Sequence, residues 1–509
     1  MSFKKITDLR KNGQLNEALE MVEQELRNNP DDIWCKRAAA WVYYDFVKKS
    51  VVDKDYDALK SNLVKIKDLG IGQDDKMVFD QVAWQIGKYL FSVDLNDVPG
   101  ERKEELKGDN GAINALDLVE KLHESGEEIF VIIANYHFTR PSDSYSFLMK
   151  SYLKFFGKAE NNSFLSFADW WGLDNFTSDD YTRRKTTDGK SYLSLAEQVY
   201  ITYAKIILKG KKPDEEAIEL DHEKINDFIK RLNDVIISQP GWEYAIYYKS
   251  KLLLAIGNRN DARETLIPFA RKKKSEFWAW DLLSDTFEEE DENRLACLCK
   301  SASCDADPKM KRNVMGKLAE TLKKQDYDDI TISGLSRFKE ENKGKKDLQI
   351  LVKSEKYKKW IMQAEDILFE DIAVELAVVE FVNTNKKILN FVVSKEKAGF
   401  FKYDRFLEKV KPGDVLKVRL EGSGINRRYN PYTVENTDEY PDEDVYKEFE
   451  GEVRKRDDQP FGFLEDVFID PGMIRNNYIS DGDILKVVAI ISYNKKKDSW
   501  GWKAIRVNN

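Results

Sequence analysis

The stretch Phe461–Ile474, FGFLEDVFIDPGMI, decides how the C-terminal part of the chain folds. It reads as two short strands joined by a very short loop. Alternation along the first strand puts Phe461 and Phe463 on one face, and Phe468 adds a ring from the second. Asp470 and Pro471 then stand where an aromatic surface would carry more rings. Just downstream, ISDGDILKVVA (Ile479–Ala489) is a turn, a Gly-Asp pair and an alternating strand. The same pattern occurs earlier as VKPGDVLKVRL (Val410–Leu420). The near copy predicts an internal duplication of a small β domain. Between the copies, ENTDEYPDEDVYKEFE (Glu435–Glu450) reads as an acidic linker or a solvated lead-in to a strand.

The second copy resembles a cold-shock domain. Gly451 and Val453 open the pattern, and Phe461, Gly462, Phe463 and Leu464 occupy its first strand motif. Asp466, Val467, Phe468 and Ile469 occupy the second, and Ala504 and Val507 close it. The resemblance implies a five-stranded OB-type barrel whose rings stack on unpaired bases, each stack worth about 1–3 kcal/mol. It places Phe461, Phe463 and Phe468 as stacking residues, with Arg454, Lys455 and Arg456 as a basic edge toward the backbone. Lys455 and Arg456 replace a Trp and a Phe of the family pattern, and Asp470 replaces a His. Asp470 would repel phosphate if it sits on the binding face, and Asp470→His is expected to strengthen binding if Asp470 faces the strand.

The first copy has the weaker likeness and the stronger positive charge. Val379, Phe381 and Asn383 echo the opening of the pattern, but the Gly-Phe motif has become KILNF. Phe381, Phe391, Phe400, Phe401 and Tyr403 interleave with Lys386, Lys387, Lys402 and Arg405, and the tip GINRRYNPY adds Arg427, Arg428 and Tyr429. Interleaved rings and cations suit a single strand. Lys386, Lys387, Phe391, Phe400, Tyr403, Arg427, Arg428 and Tyr429 are the expected contacts here.

Upstream the chain reads as helices. GNRNDARETLIPFA, ENRLACLCKSASCDADP and KKQDYDDITISGLSRF repeat with a period of about 34 residues. Ala262 and Ala296 stand at equivalent positions, with Tyr327 at the aromatic position of the next repeat. NGQLNEALEMVEQELRNNPDD has the same phase through Gly13, Ala18 and Pro30. These segments resemble tetratricopeptide repeats, which implies a helical solenoid that binds another protein. The expected fold is multidomain: a mainly α helical repeat solenoid followed by two small all-β OB/cold-shock-like barrels. The expected boundaries are repeat helices at 1–66, an irregular helical region at 67–208, repeats at 209–344 and a helical connector at 345–371. The barrels follow at 372–434 and 449–509, with the acidic linker at 435–448. Within the irregular region, Trp170, Trp171 and Phe176 are expected to pin an aromatic-rich connection to the helices rather than to greet a partner.

Composition narrows the function. With a formal net charge of -9 the chain does not coat nucleic acid along its length, and only local basic patches serve that purpose. Four cysteines are too few for a disulfide scaffold, and runs such as IFVIIANY are too short to span a bilayer. A soluble protein of a reducing cytoplasm is expected. No phosphate-binding loop is present, and His123, His137 and His222 are far apart in sequence. The cysteines of CLCKSASC suit a packed helix better than a metal. No catalytic residue, cofactor or metal is assigned. The expectation is a non-enzymatic adaptor that holds a protein on its repeats and single-stranded RNA or DNA on its barrels. The rival is a protein–protein scaffold, or a regulatory or sensor subunit of a multi-protein system such as bacterial defence, whose barrels bind no nucleic acid.

Overall fold

The computed structural model describes residues 2–93, 123–157, 162–185, 187–189, 191–210, 220–307, 309–324, 355–421, 428–494 and 498–508. The chain divides into two compact units, Met1–Val352 and Lys353–Asn509. The first is helical and the second β-rich.

In the first unit, short polar side chains start the helices. Asp32, Asp55, Ser142, Ser194 and Asp221 each accept a hydrogen bond from a backbone N–H of the first turn. Such a cap satisfies a donor that has no partner inside the helix. Helices Glu243–Ala255 and Arg259–Lys272 form a hairpin that turns at Gly257, whose φ is +80°. Helices Phe277–Ser284 and Glu292–Ser303 form the next, starting one repeat period later. Ala262 and Ala296 are both buried. Tyr327 lies outside the described residues. No helix among the described residues is long and apolar enough to cross a membrane.

The aromatic-rich region is packed inward. Asn162–Trp171 is a helix, and Trp171 and Phe176 are buried. Trp171 stacks on Tyr145 at 4.8 Å between ring centroids, and each of the two donates a side-chain hydrogen bond to the other's carbonyl oxygen. The chain then forms an exposed two-stranded hairpin, β1 (Arg184–Lys185) and β2 (Ser191–Tyr192). Arg183 anchors its base by donating from Nε and Nη2 to the buried Glu197 carboxylate, at 2.8 and 2.6 Å. Cys297 and Cys299 are buried in their helix, and desolvation pushes both thiols up.

The second unit holds two five-stranded barrels of the same strand order. The first runs β3 (Glu375–Asn383), β4 (Ile388–Val392), β5 (Ala398–Lys402), β6 (Val415–Glu421) and β7 (Asn430–Asn436), in the order β5-β4-β3-β6-β7. A parallel bridge between Phe400 and Arg428 brings its two edges together, and Tyr429 N donates to Phe400 O at 3.0 Å. The second comprises β8 (Tyr446–Arg454), β9 (Gly462–Leu464), β10 (Val467–Ile469), β11 (Ile484–Asn494) and β12 (Ser499–Asn508), and is fully closed.

The duplicated Gly-Asp motif makes the same joint in both. Gly413 N donates to Val379 O at 2.8 Å and Asp414 O accepts from Val379 N at 2.9 Å. In the second barrel Gly482 N donates to Val453 O at 2.9 Å and Asp483 O accepts from Val453 N at 2.8 Å. Both glycines are left-handed, at φ +89° and +83°, a conformation that costs an ordinary residue energy. The two aspartates clamp the turn, accepting from Lys411 N and Ser480 N. Each motif therefore ties the fourth strand of its barrel to the first.

Two expected boundaries change. Helix Glu355–Phe369, within the presumed connector, belongs to the barrel unit: Phe369 lies 5.4 Å from Tyr432, and Asp366 lies 3.6 Å from Arg419. The acidic linker is shorter than expected, and its end is the lead-in to a strand. Its first residues finish β7, its last begin β8, and Val445 and Tyr446 are buried in an apolar seam between the barrels. That seam joins Val378 and Val392 of the first barrel to Val488, Ile490 and Ile491 of the second. Apolar residues hidden within the acidic run explain the difference, because burying them outweighs the solvation of their charged neighbours.

Candidate nucleic-acid interface

Strand pairing fixes which side chains share a face. In the second barrel Arg454 pairs with Phe463, Phe463 with Phe468, and Phe468 with Lys503. Their neighbours Val453, Leu464, Val467 and Ala504 fill the core, so this row points outward. Phe461 completes a cluster of three rings with centroids 5.6–5.8 Å apart. Phe463 is 36% exposed, and it is its clustering with Phe461 and Phe468, not its exposure alone, that marks the face.

The first barrel carries the equivalent row. Phe381 pairs with Asn390, Asn390 with Phe400, and Phe400 with Arg428. Phe381 is 52% exposed and Arg428 is exposed. Each row thus has two rings and ends in a cation on the fifth-strand side. Phe381, Asn390 and Lys503 were not among the expected site residues. Strand parity counted from Leu389 and Ala504 finds Asn390 and Lys503, whereas Phe381 faces out only because of a register shift after Val379.

Three expected contacts are corrected. Phe391, Tyr403 and Tyr429 lie in the core of the first barrel and are 1%, 3% and 8% exposed, so their ring faces are closed to a base. Phe391 sits one residue beyond Asn390, which turns it to the inner face. Lys386 and Lys387 are exposed in the β3–β4 turn, where Asn383 Oδ1 accepts from Lys386 N at 3.0 Å. Arg454 and Arg456 are exposed, and Lys455 is half-buried with its N–H donating to Asp481 at 2.7 Å. Phe400 and Phe468 are half-buried on their outer faces. Arg427 lies outside the described residues.

Asp470 also changes meaning. Its carboxylate accepts from Met473 N at 2.9 Å and caps a short helix, Pro471–Asn476, with proline in the first turn. Proline is favoured there because its missing N–H would have had no helical partner. DPGMI is therefore a helix start and not an aromatic surface that has lost its rings. The expected gain from Asp470→His does not follow, since histidine would remove the cap.

None of Lys386, Lys387, Arg428, Arg454, Arg456 and Lys503 forms an ion pair with a described carboxylate, whereas Lys397, Lys417 and Lys486 do. Acidic groups crowd the second row more closely: Asp457, Asp458, Glu465 and Asp466 are exposed in the loops that flank β9. The arrangement offers apolar ring faces beside unneutralised cations, which suits a flexible polyanion with planar groups.

Residues 369–430 and 447–507 match S1/CSD-like domains 1 and 2 of the TOTE conflict systems, in that order. The C-terminal unit thus carries a tandem similar to the one found in those systems. Residues 243–368 match a domain of unknown function, DUF7017, whose span takes in both the helical hairpins and most of the helix that packs on the first barrel. No curated protein matches the chain.

Proposed function

We propose that the chain is a non-enzymatic adaptor of a conflict system, in which the barrel tandem binds single-stranded RNA or DNA and the helical hairpins hold a protein partner. The observation that carries this reading is the pair of equivalent outward rows, Phe381–Asn390–Phe400–Arg428 and Arg454–Phe463–Phe468–Lys503. Each row carries two outward rings and ends in a cation, and Phe400 and Phe468 stand at equivalent third-strand positions, which a barrel kept only for its fold does not require. Single strands suit the rows because bases must be unstacked to reach them. The tetratricopeptide-like phase of the hairpins supports the protein-binding role, and the TOTE-type tandem supports a place in defence.

Fluorescence polarisation of the full chain with labelled single-stranded RNA and DNA, at two salt concentrations, tests the reading. Binding that weakens with salt is the expected result. No binding of either strand at low salt overturns it and leaves the protein–protein scaffold.

A further inference from the structure

We infer that the two rows are halves of one binding track, so that a single strand crosses from one barrel to the other over the seam. This rests on the proposed nucleic-acid binding and adds to it the path of the ligand.

The seam holds the barrels as one body. Val378, Val392, Tyr446, Val488, Ile490 and Ile491 are all below 8% exposure. Ser492 donates to Glu380 across it, and Ile505 packs beside Gly413. The two rows are thus fixed relative to each other before any ligand arrives.

Both rows run up to this seam. In the second barrel the register continues from Phe468 to Lys503 and then to Ile490, which is buried in the seam. In the first barrel the seam residues Val392 and Ala398 lie two positions along their strands from Asn390 and Phe400. That is one outward step, roughly 7 Å. A strand following the second row cannot continue around the barrel beyond Lys503, because the first barrel covers the next outward position. The proposed path therefore crosses the seam onto the first barrel, whose own row begins one step from its seam residues Val392 and Ala398. Lys503 stands at the crossing, where a phosphate would pass from one ring pair to the other.

The test is the length dependence of binding to the full chain, measured by polarisation with oligo-dT and oligo-rU of about 5 and about 15 nucleotides, near the two ends of the range of site sizes for such barrels. Engagement of two linked sites raises affinity well beyond either alone, so the longer strand is expected to bind about 100-fold tighter. Phe400→Ala and Phe468→Ala are each expected to remove most of that gain, and Phe468→Tyr to restore it. Lys503→Ala, a surface change, reads the same gain without touching a ring. The DNA and RNA arms report which sugar the track accepts. Binding in which the long strand gains less than about tenfold, or in which the two ring variants act independently, overturns the track while leaving the function standing. Absence of binding at both lengths overturns the function itself.

Discussion

The two barrels share a strand order and a Gly-Asp joint, yet differ in almost every side chain that faces outward. The first presents Phe381 and Phe400 with Arg428, beside an exposed Lys386–Lys387 turn. The second presents Phe461, Phe463 and Phe468 between Arg454 and Lys503, with acids in the adjoining loops. The contrast separates two kinds of constraint. The joint is made by backbone groups and a left-handed residue, so it tolerates little change. The row is made of side chains on a solvated face, so charge and ring content can drift apart while position stays fixed.

The largest effect should come from confusing a core ring with a row ring. Phe391→Ala is expected to cost about 3–5 kcal/mol, as a buried phenylalanine does. Phe463→Ala on the open face should cost far less and be read mainly in binding. Urea unfolding of the full chain checks this, and equal losses would mean that the assignment of faces is wrong. The joint comes next. Gly413→Ala and Gly482→Ala force a side chain into the left-handed region, at about 1–2 kcal/mol. Gly413→Ala should be the worse, because its added carbon would lie 3.2 Å from Ile505, whereas at Gly482 the nearest atom is Glu452 Oε1 at 3.9 Å. The reverse order in thermal melts would argue against the seam.

A smaller effect belongs to the second barrel's helix cap. Asp470→Ala should cost about 1 kcal/mol, with Asp470→Asn retaining most of the stability. If Asp470→His instead tightens oligonucleotide binding without loss of stability, the aspartate serves the ligand face and not the cap. The smallest effect is electrostatic. Each lost phosphate contact lowers the single-strand salt slope by about 0.7. Replacing Lys386 and Lys387 by alanine should flatten the slope more than replacing Arg454 and Arg456, whose surroundings are already acidic.

Much of this was legible in the chain. Phe461, Phe463 and Phe468 follow from alternation and a short loop, and the duplicated Gly-Asp strand announces a second barrel. The first barrel's row was harder to read. KILNF offers a ring at Phe391, which alternation turns inward beside an outward Asn390, and a register shift between Val379 and Phe381 decides that Phe381 faces out. Such an irregularity depends on pairing between distant segments and leaves little local trace. Asp470 was misread because a loss relative to a family pattern looks like damage until the local helix it starts is seen. Val445 and Tyr446 were hidden for a different cause: nine of the sixteen residues of ENTDEYPDEDVYKEFE are charged, and composition averages over the few that matter. Trp171 and Phe176 were expected inside, and large rings seldom stay out without a ligand.

The seam has a consequence for how such a protein can be inherited. A gene fragment encoding either barrel alone would bare Val378 and Val392, or Val488 and Ile490, as an apolar patch of the kind that invites aggregation. Once the duplicated copies had closed on each other, recombination between β7 and β8 would yield two sticky products. The heritable module is the pair, and gene shuffling should move both barrels together or neither.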